Sequence, residues 1–392
     1  MSDVQALYLD HAATTPLVPG VAERMQEVLA GPSANPASAH PAGRAAAAYI
    51  ADAARAVGEL INADADSLVW TSGATESINL ALKGVVGFNG GGGHLVTVAT
   101  EHAATLDVAD WLAARGTRVT RLGVDVHGRI DLAEFETALA DDATLASIMH
   151  VNNETGVIQD IEAIGRLCEC HDVALHVDAA QSLGRLPIDV QRMNIALLSM
   201  SAHKLGGPQG IGALYVRSRP RVGLSALIHG GGQQGGRRSG TLATHQIAGF
   251  GAAAEWVAST REGEQTRLAG LRDALWASIE QRLPGVHRNG DSAQVAAPFL
   301  NVSVDDVHGE ALRVGLTEGQ PSLAVSSGAA CSAARGQSSY VLRAQGRSPR
   351  LAAASIRFCL GADIDRAGAA CAADRFVAEV QRLRALGRPA AA

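Results

Sequence analysis

Lys204 stands in SMSAHKLGGPQG, after an apolar run and just before Gly206, Gly207 and Pro208, so its amine is held on a tight turn. Desolvation or neighbouring positive charge lowers the pKa of a lysine that ends a buried strand, and its free amine could then form a Schiff base with an aldehyde cofactor. Asp178, in LHVDAAQS, also follows a buried apolar run, with Gln181 three residues on. A carboxylate there is costly unless it meets a cation. The protonated nitrogen of a pyridine ring is such a cation, and the carboxylate keeps that ring an effective electron sink. A helix N-cap is the other role open to the same aspartate.

His102, in TEHAATLD, lies directly beyond an apolar run, where an imidazole could stack on a planar cofactor and exchange protons; alone, such a residue is more often structural. In TSGATESIN, Thr71 gives way to Ser72, Gly73, Ala74 and Thr75 before a helix begins. Free backbone N–H groups and the helix dipole there suit a phosphate, although many strand-to-helix turns carry the same residues for turning and capping only. Jointly the four turns describe one site: a phosphate turn, a ring-stacking imidazole, an acid for a pyridine nitrogen and a Schiff-base lysine. No GxxxxGK[ST] pattern is present to make SGATES a nucleotide loop.

Cys331 lies in SSGAACSAARGQSS, whose Gly, Ala and Ser content predicts a mobile loop able to swing toward a cofactor and then outward. Its thiol is a candidate nucleophile; the alternative, a small buried residue, fits poorly with so polar a setting. Cys168 and Cys170 precede His171 on an apparent helix, IGRLCECHD, and the spacing favours packing and exposure over metal, so no metal site is expected.

The elements that must position these residues read as an α/β protein, with short Val, Ile and Leu runs alternating with Ala-rich amphipathic segments. Seven strands are expected near Leu68–Thr71, Leu95–Thr100, Val119–Leu122, Leu145–Val151, Ala174–Asp178, Ala196–Met200 and Gly212–Val216. Their sheet should be mostly parallel and buried on both faces, with ligands at the carboxyl ends of its strands. After about Ala253 the texture changes: Leu268, Leu271, Leu275 and Ile279 mark a long charged helix before strands around Leu300–Val304, Leu323–Ser326 and Ile356–Phe358. Two units follow, a large one over 15–255 and a smaller α+β one made of 1–14 and 256–392.

With 392 residues, 47% hydrophobic, the chain can bury a sizeable core. Its 33 Lys and Arg against 39 Asp and Glu give a net charge of −6, which offers no basic excess for nucleic acid. No stretch is apolar for the ~20 residues a membrane span needs, and MSDVQALYLDHAATTP lacks a basic region followed by an apolar one. A cytoplasmic protein without membrane association is the expectation.

From YLDHAATTP through TSGATESIN, TEHAATLD, SIMHVNNETGVIQDI, LHVDAAQSLGRLPID, SAHKLGGPQGIGALYVR, GGGQQGGRRSGT and AVSSGAACSA to SIRFCLG, the chain resembles the cysteine desulfurases of the NifS and IscS kind, within the class V aminotransferases. The runs around Lys204 and Cys331 are the most specific. The resemblance implies pyridoxal 5'-phosphate on fold type I, with Lys204 carrying the cofactor, Asp178 at its pyridine nitrogen, His102 stacked on the ring as acid/base and Gln181 at the phenolic oxygen. Ala74, Thr75, Ser201 and His203 would hold the phosphate, and Thr241 would reach it from the partner subunit of a homodimer. Asn153 and Arg357 match the ligands of the substrate carboxylate, with Asn35 in SANPAS assisting and Asn153 also beside the cofactor. L-cysteine would be the substrate, Cys331 the persulfide carrier, and a sulfur-acceptor protein the recipient, serving iron–sulfur cluster biogenesis, tRNA thiolation, DNA phosphorothioation or a cofactor pathway. His11 and Ala12 in the opening motif, Ala104 and Leu106 after His102, and Arg237 before Arg238 depart from the family's usual residues, and none is among the chemical groups.

Overall fold

A computed structural model describes residues 6–327 and 338–387. Cys331 and the loop expected around it lie outside the described residues. The chain opens with β1 (Leu7–Tyr8), α1 (Val21–Ala30) and α2 (Pro41–Leu60), and then alternates through β2 (Leu68–Thr71), α3 (Ala74–Phe88), β3 (His94–Val98), α4 (Ala103–Ala113) and β4 (Arg118–Leu122). The alternation continues through α5 (Leu132–Ala140), β5 (Leu145–Met149), α6 (Ile161–Cys170), β6 (Ala174–Asp178), β7 (Leu197–Ser201) and β8 (Gly212–Val216). Seven of these strands form one sheet in the order β2-β8-β7-β6-β5-β3-β4. All run parallel except β8, which is antiparallel to both β2 and β7. The expected mostly parallel seven-stranded sheet is present.

Runs such as LASIM in β5 and LLSMS in β7 are buried at every position, because helices cover both faces of the sheet. The amphipathic α2 contributes Ala53, Ala54, Val57 and Leu60 to the main core. Its neighbour α7 (Thr244–Arg282) is 39 residues long and begins before the expected change of texture. Small residues in its first turns explain the early start: a Cβ on Gly251 would lie 2.7 Å from the Ala53 Cα, so glycine lets α7 press against α2. Ile247, Phe250 and Val257 of α7 join the main core, whereas Leu268, Leu271, Leu275 and Ile279 enter a second core.

That second core packs β9 (Val286–Arg288), β10 (Phe299–Val304), α8 (Gly309–Glu318) and β12 (Ser355–Cys359) under the final helix, Arg366–Leu386. β10 is central to an antiparallel sheet, between β12 and β9. The start of the chain returns here: β1 pairs in parallel with β11 (Leu323–Ala324), Leu9 enters the core, and Asp10 bridges to Cys359. No helix among the described residues is long and apolar enough to cross a membrane. Cys168 is buried and Cys170 exposed, and no metal-like cluster of His, Cys, Asp and Glu occurs among the described residues.

Candidate active site

Because β2, β3, β5, β6 and β7 run in one direction, the turns that follow them open along one edge of the sheet. Ser72 to Glu76, His102, Asn153, Asp178, Gln181, Ser201, His203 and Lys204 line a single cavity there, of about 410 Å³. Thr14, Gln209 and Gly210 also line it.

Asp178 ends β6, in register with Met149 of β5 and Ser199 of β7, so the neighbouring strands fix its backbone. Its side chain is buried, and Oδ1 accepts the Ala180 N–H at 2.8 Å. Lys204 follows β7, the adjacent strand, on a turn closed by Gly206 at φ +87°. Among the described residues its Nζ makes no hydrogen bond. Desolvation pushes the amine down to about 8; Asp178 opposes the shift, and Arg185 and Arg357 add to it. The lysine is therefore partly neutral near physiological pH, as a nucleophilic amine requires.

His102 caps α4: its Nδ1 accepts the Ala104 N–H at 3.1 Å, so the neutral ring carries its proton on Nε2. Burial lowers its pKa, against the pull of Asp178 and with the push of Lys204. Opposite, the N-cap of α3 is Gly73, which has no side chain to satisfy the first N–H groups of the helix, and Ala74 and Thr75 occupy that open turn. Ser201 is buried at the end of β7, and His203 Nδ1 lies 3.1 Å from the Thr14 hydroxyl. Gln181 donates to the Ala12 carbonyl at 2.8 Å and accepts from Arg185.

Arg357 comes from the other core. It lies on β12, is 4% exposed and donates through Nη1 to the Asn153 carbonyl at 2.7 Å, which places it just behind the cavity wall. Asn153 Oδ1 is buried without a partner among the described residues. Two expected residues stand apart from this cavity. Asn35 is exposed, its Oδ1 accepting the Ala37 N–H at 2.9 Å. Thr241 is exposed on a loop pinned by Gln234, which grips the Trp70 N–H and C=O at 2.6 and 2.9 Å, and by an Arg238–Glu76 ion pair at 2.8 Å.

Sequence reasoning passed over three carboxyls around the site. Asp10 meets Arg357 Nη2 at 2.5 Å. Glu154, next to Asn153, is buried and accepts the Ser339 hydroxyl at 2.5 Å; desolvation pushes its carboxyl up to about 7, against Ser339 and Arg357. Glu101, next to His102, accepts the Met149 N–H at 2.6 Å, and burial holds its carboxyl well above the usual range. The signal that singled out Asp178, an acid after a buried strand, was also present for Glu101 and Glu154.

The family pattern described as aminotransferase class-V matches residues 7–366. The chain belongs to that family. It is 50% identical over 359 residues to the cysteine desulfurase IscS of Shewanella woodyi, covering 91% of this chain and 88% of that one. A solved NifS-like protein superimposes with a TM-score of 0.89 at 30% identity, over 97% of this chain and 100% of the other. The structure of SspA in complex with cysteine matches with a TM-score of 0.81 at 36% identity, over 91% and 99%. Proteins of this class V family depend on pyridoxal phosphate. The cavity fits that cofactor: a depressed lysine amine without a hydrogen-bond partner among the described residues, a buried carboxylate on the adjacent strand and an uncapped helix start face the same space.

Proposed function

We propose that this protein is a cysteine desulfurase that takes sulfur from L-cysteine, releases L-alanine and leaves the sulfur on Cys331 as a persulfide for an acceptor protein. The observation that carries the reading is the convergence of Lys204, Asp178 and His102 on one cavity from three turns of the same sheet edge. The 50% identity to an IscS protein supports cysteine as the substrate.

Pyridoxal phosphate, when bound, supplies an electron-accepting ring that stabilises negative charge developing on the substrate. Lys204 would hold it through Nζ, Asp178 would face its ring nitrogen, Gln181 its phenolic oxygen and His102 its face. Ala74, Thr75, Ser201 and His203 would hold its phosphate. Arg357 and Asn153 seat the substrate carboxylate, a task suited to the guanidinium fork, with Asn35 assisting. The neutral Lys204 amine takes the Cα proton, and His102 moves protons through Nε2. The Cys331 thiolate then attacks the substrate sulfur. An S–S bond forms as the Cβ–S bond breaks, and Cβ keeps the electron pair and gains a proton. L-cysteine and an enzyme thiol thus become L-alanine and an enzyme persulfide, with no outside oxidant or reductant.

Residues 15–255 form the cofactor-binding unit, and 1–14 with 256–392 form the unit that carries Cys331. Two copies act together in the cytoplasm: Thr241, outside the cavity of its own chain, completes the phosphate pocket of the other copy, and the persulfide sulfur leaves for an acceptor protein. Incubating the holoenzyme with L-cysteine should yield alanine and, by mass spectrometry, one added sulfur on the peptide containing Cys331. Cys331→Ser should abolish both while keeping the absorbance response of the bound cofactor to cysteine; sulfur found elsewhere, or alanine still produced at the wild-type rate, would refute the assignment.

A further inference from the structure

Arg357 is nearly inaccessible, and the N–H donors of a buried guanidinium need acceptors, which also fix its orientation. The structure shows two holds on it. Nη1 donates to the Asn153 carbonyl at 2.7 Å, and Nη2 donates to Asp10 Oδ1 at 2.5 Å. Nε is buried and has no partner among the described residues. A guanidinium offers five N–H donors in a rigid plane, so two anchored donors leave the others aimed in a set direction.

Asp10 is itself fixed to the strand that bears Arg357. The Cys359 N–H donates to the Leu9 carbonyl at 2.7 Å, the His11 N–H donates to the Cys359 carbonyl at 3.2 Å, and Asp10 forms a parallel bridge with Cys359. The same β12 segment therefore sets the height of the acid and of the base. Asp10 remains about one-fifth exposed at its side chain (22%), against 4% for Arg357, so the carboxylate stands on the solvent side of the pair.

We propose that Asp10 is a positioning residue for substrate recognition, locking the plane of Arg357 so that its remaining N–H groups are presented to the carboxylate of the incoming amino acid. This rests on the reading that Arg357 seats that carboxylate. Two effects of Asp10 oppose each other. Its hydrogen bond orients the guanidinium, while its negative charge repels the substrate carboxylate. Because Asp10 stands on the solvent side of the pair, where its charge is screened, orientation dominates.

The two substitutions Asp10→Ala and Asp10→Asn separate these effects, since asparagine keeps an acceptor oxygen and loses the charge. In the holoenzyme, D10A should raise KM for L-cysteine about 10- to 100-fold, the loss expected for a charge-assisted hydrogen bond, with kcat within about threefold. D10N should show a KM equal to or below that of the wild type. Cysteine titrations of the cofactor absorbance, made in a Cys331→Ser background where turnover stops, should give dissociation constants in the same order. A wild-type KM and dissociation constant in D10A would overturn the proposal. So would D10N as impaired as D10A, because the charge and not the orientation would then be what matters. If D10A fails to fold, D10N alone decides: a KM more than about threefold above wild type defeats the idea. A wild-type enzyme that releases no alanine from cysteine would sink the functional reading instead, and leaves these outcomes distinguishable from it.

Discussion

The depressed amine of Lys204 makes a prediction about the apoenzyme. Only a neutral amine attacks an aldehyde, so the rate at which the apoenzyme captures pyridoxal phosphate should follow the deprotonated fraction of Lys204. With the pKa pushed down to about 8, roughly one-tenth of the lysine is neutral at pH 7, against ~0.03% for an ordinary lysine. The advantage at pH 7 is therefore about 300-fold. Stopped-flow measurement of the absorbance band that appears on capture, from pH 6 to 10, should show a midpoint near 8, with N-acetyl-lysine amide under the same conditions as the control for titration of the cofactor itself. Asp178 favours the charged amine, so Asp178→Asn should move the midpoint lower while also weakening cofactor affinity. The midpoint and not the amplitude is the readout. A midpoint near 10, or one that rises in Asp178→Asn, would refute the burial argument for Lys204.

Glu154 has a folded-state pKa of about 7, above its unfolded value, so the folded protein holds that proton more tightly than the unfolded chain. Stability from this group is then fully present below the unfolded pKa of about 4.5 and is lost as pH rises through 7. Glu154→Gln keeps an acceptor for Ser339 and cannot ionise, so its stability relative to wild type should rise by up to about 3 kcal/mol between pH 4.5 and pH 8, as urea denaturation of the two proteins would measure. A constant difference across that range would count against a buried, titrating Glu154. At the Lys204 turn, Gly206 has φ +87°, and an added Cβ would lie 2.4 Å from Val18 Cγ1. Gly206→Ala should therefore cost about 1–3 kcal/mol and lower the melting temperature, and an unchanged melt would show that the turn relaxes freely.

Much of the large sheet was legible because each strand is a short apolar run between polar or glycine-bearing turns, as in LASIM and ALHVD. The boundaries were less so. β3 begins at His94, which reads as a polar flank yet is 2% exposed. Its ring nitrogens lie 2.8 Å from the Asp141 carbonyl and from the Thr120 hydroxyl, partners that only tertiary structure supplies. The far ends were overextended for the complementary reason: after Val98 and Met149 the chain leaves the sheet so that His102 and Asn153 can turn into the cavity. The early start of α7 was hidden because glycine is a poor helix former in isolation, whereas Gly251 serves close packing against Ala53.

At the site, residues that follow one strand directly were readable from local pattern, since a parallel sheet converts position in sequence into position along one edge. Lys204, Asp178 and His102 are of this kind. Arg357 is not, because it reaches the cavity wall from a different core, and only resemblance pointed to it. Its counterion was beyond local reading altogether: Asp10 lies 347 residues away in sequence, and the two meet because the start of the chain is stitched to β12. Under the proposed roles, the ends of neighbouring strands would set the cofactor chemistry, and the joining of two cores would set substrate recognition. On that reading, a substitution in the opening YLDHAATTP segment should alter affinity for substrate without touching any residue of the sheet that lines the cavity.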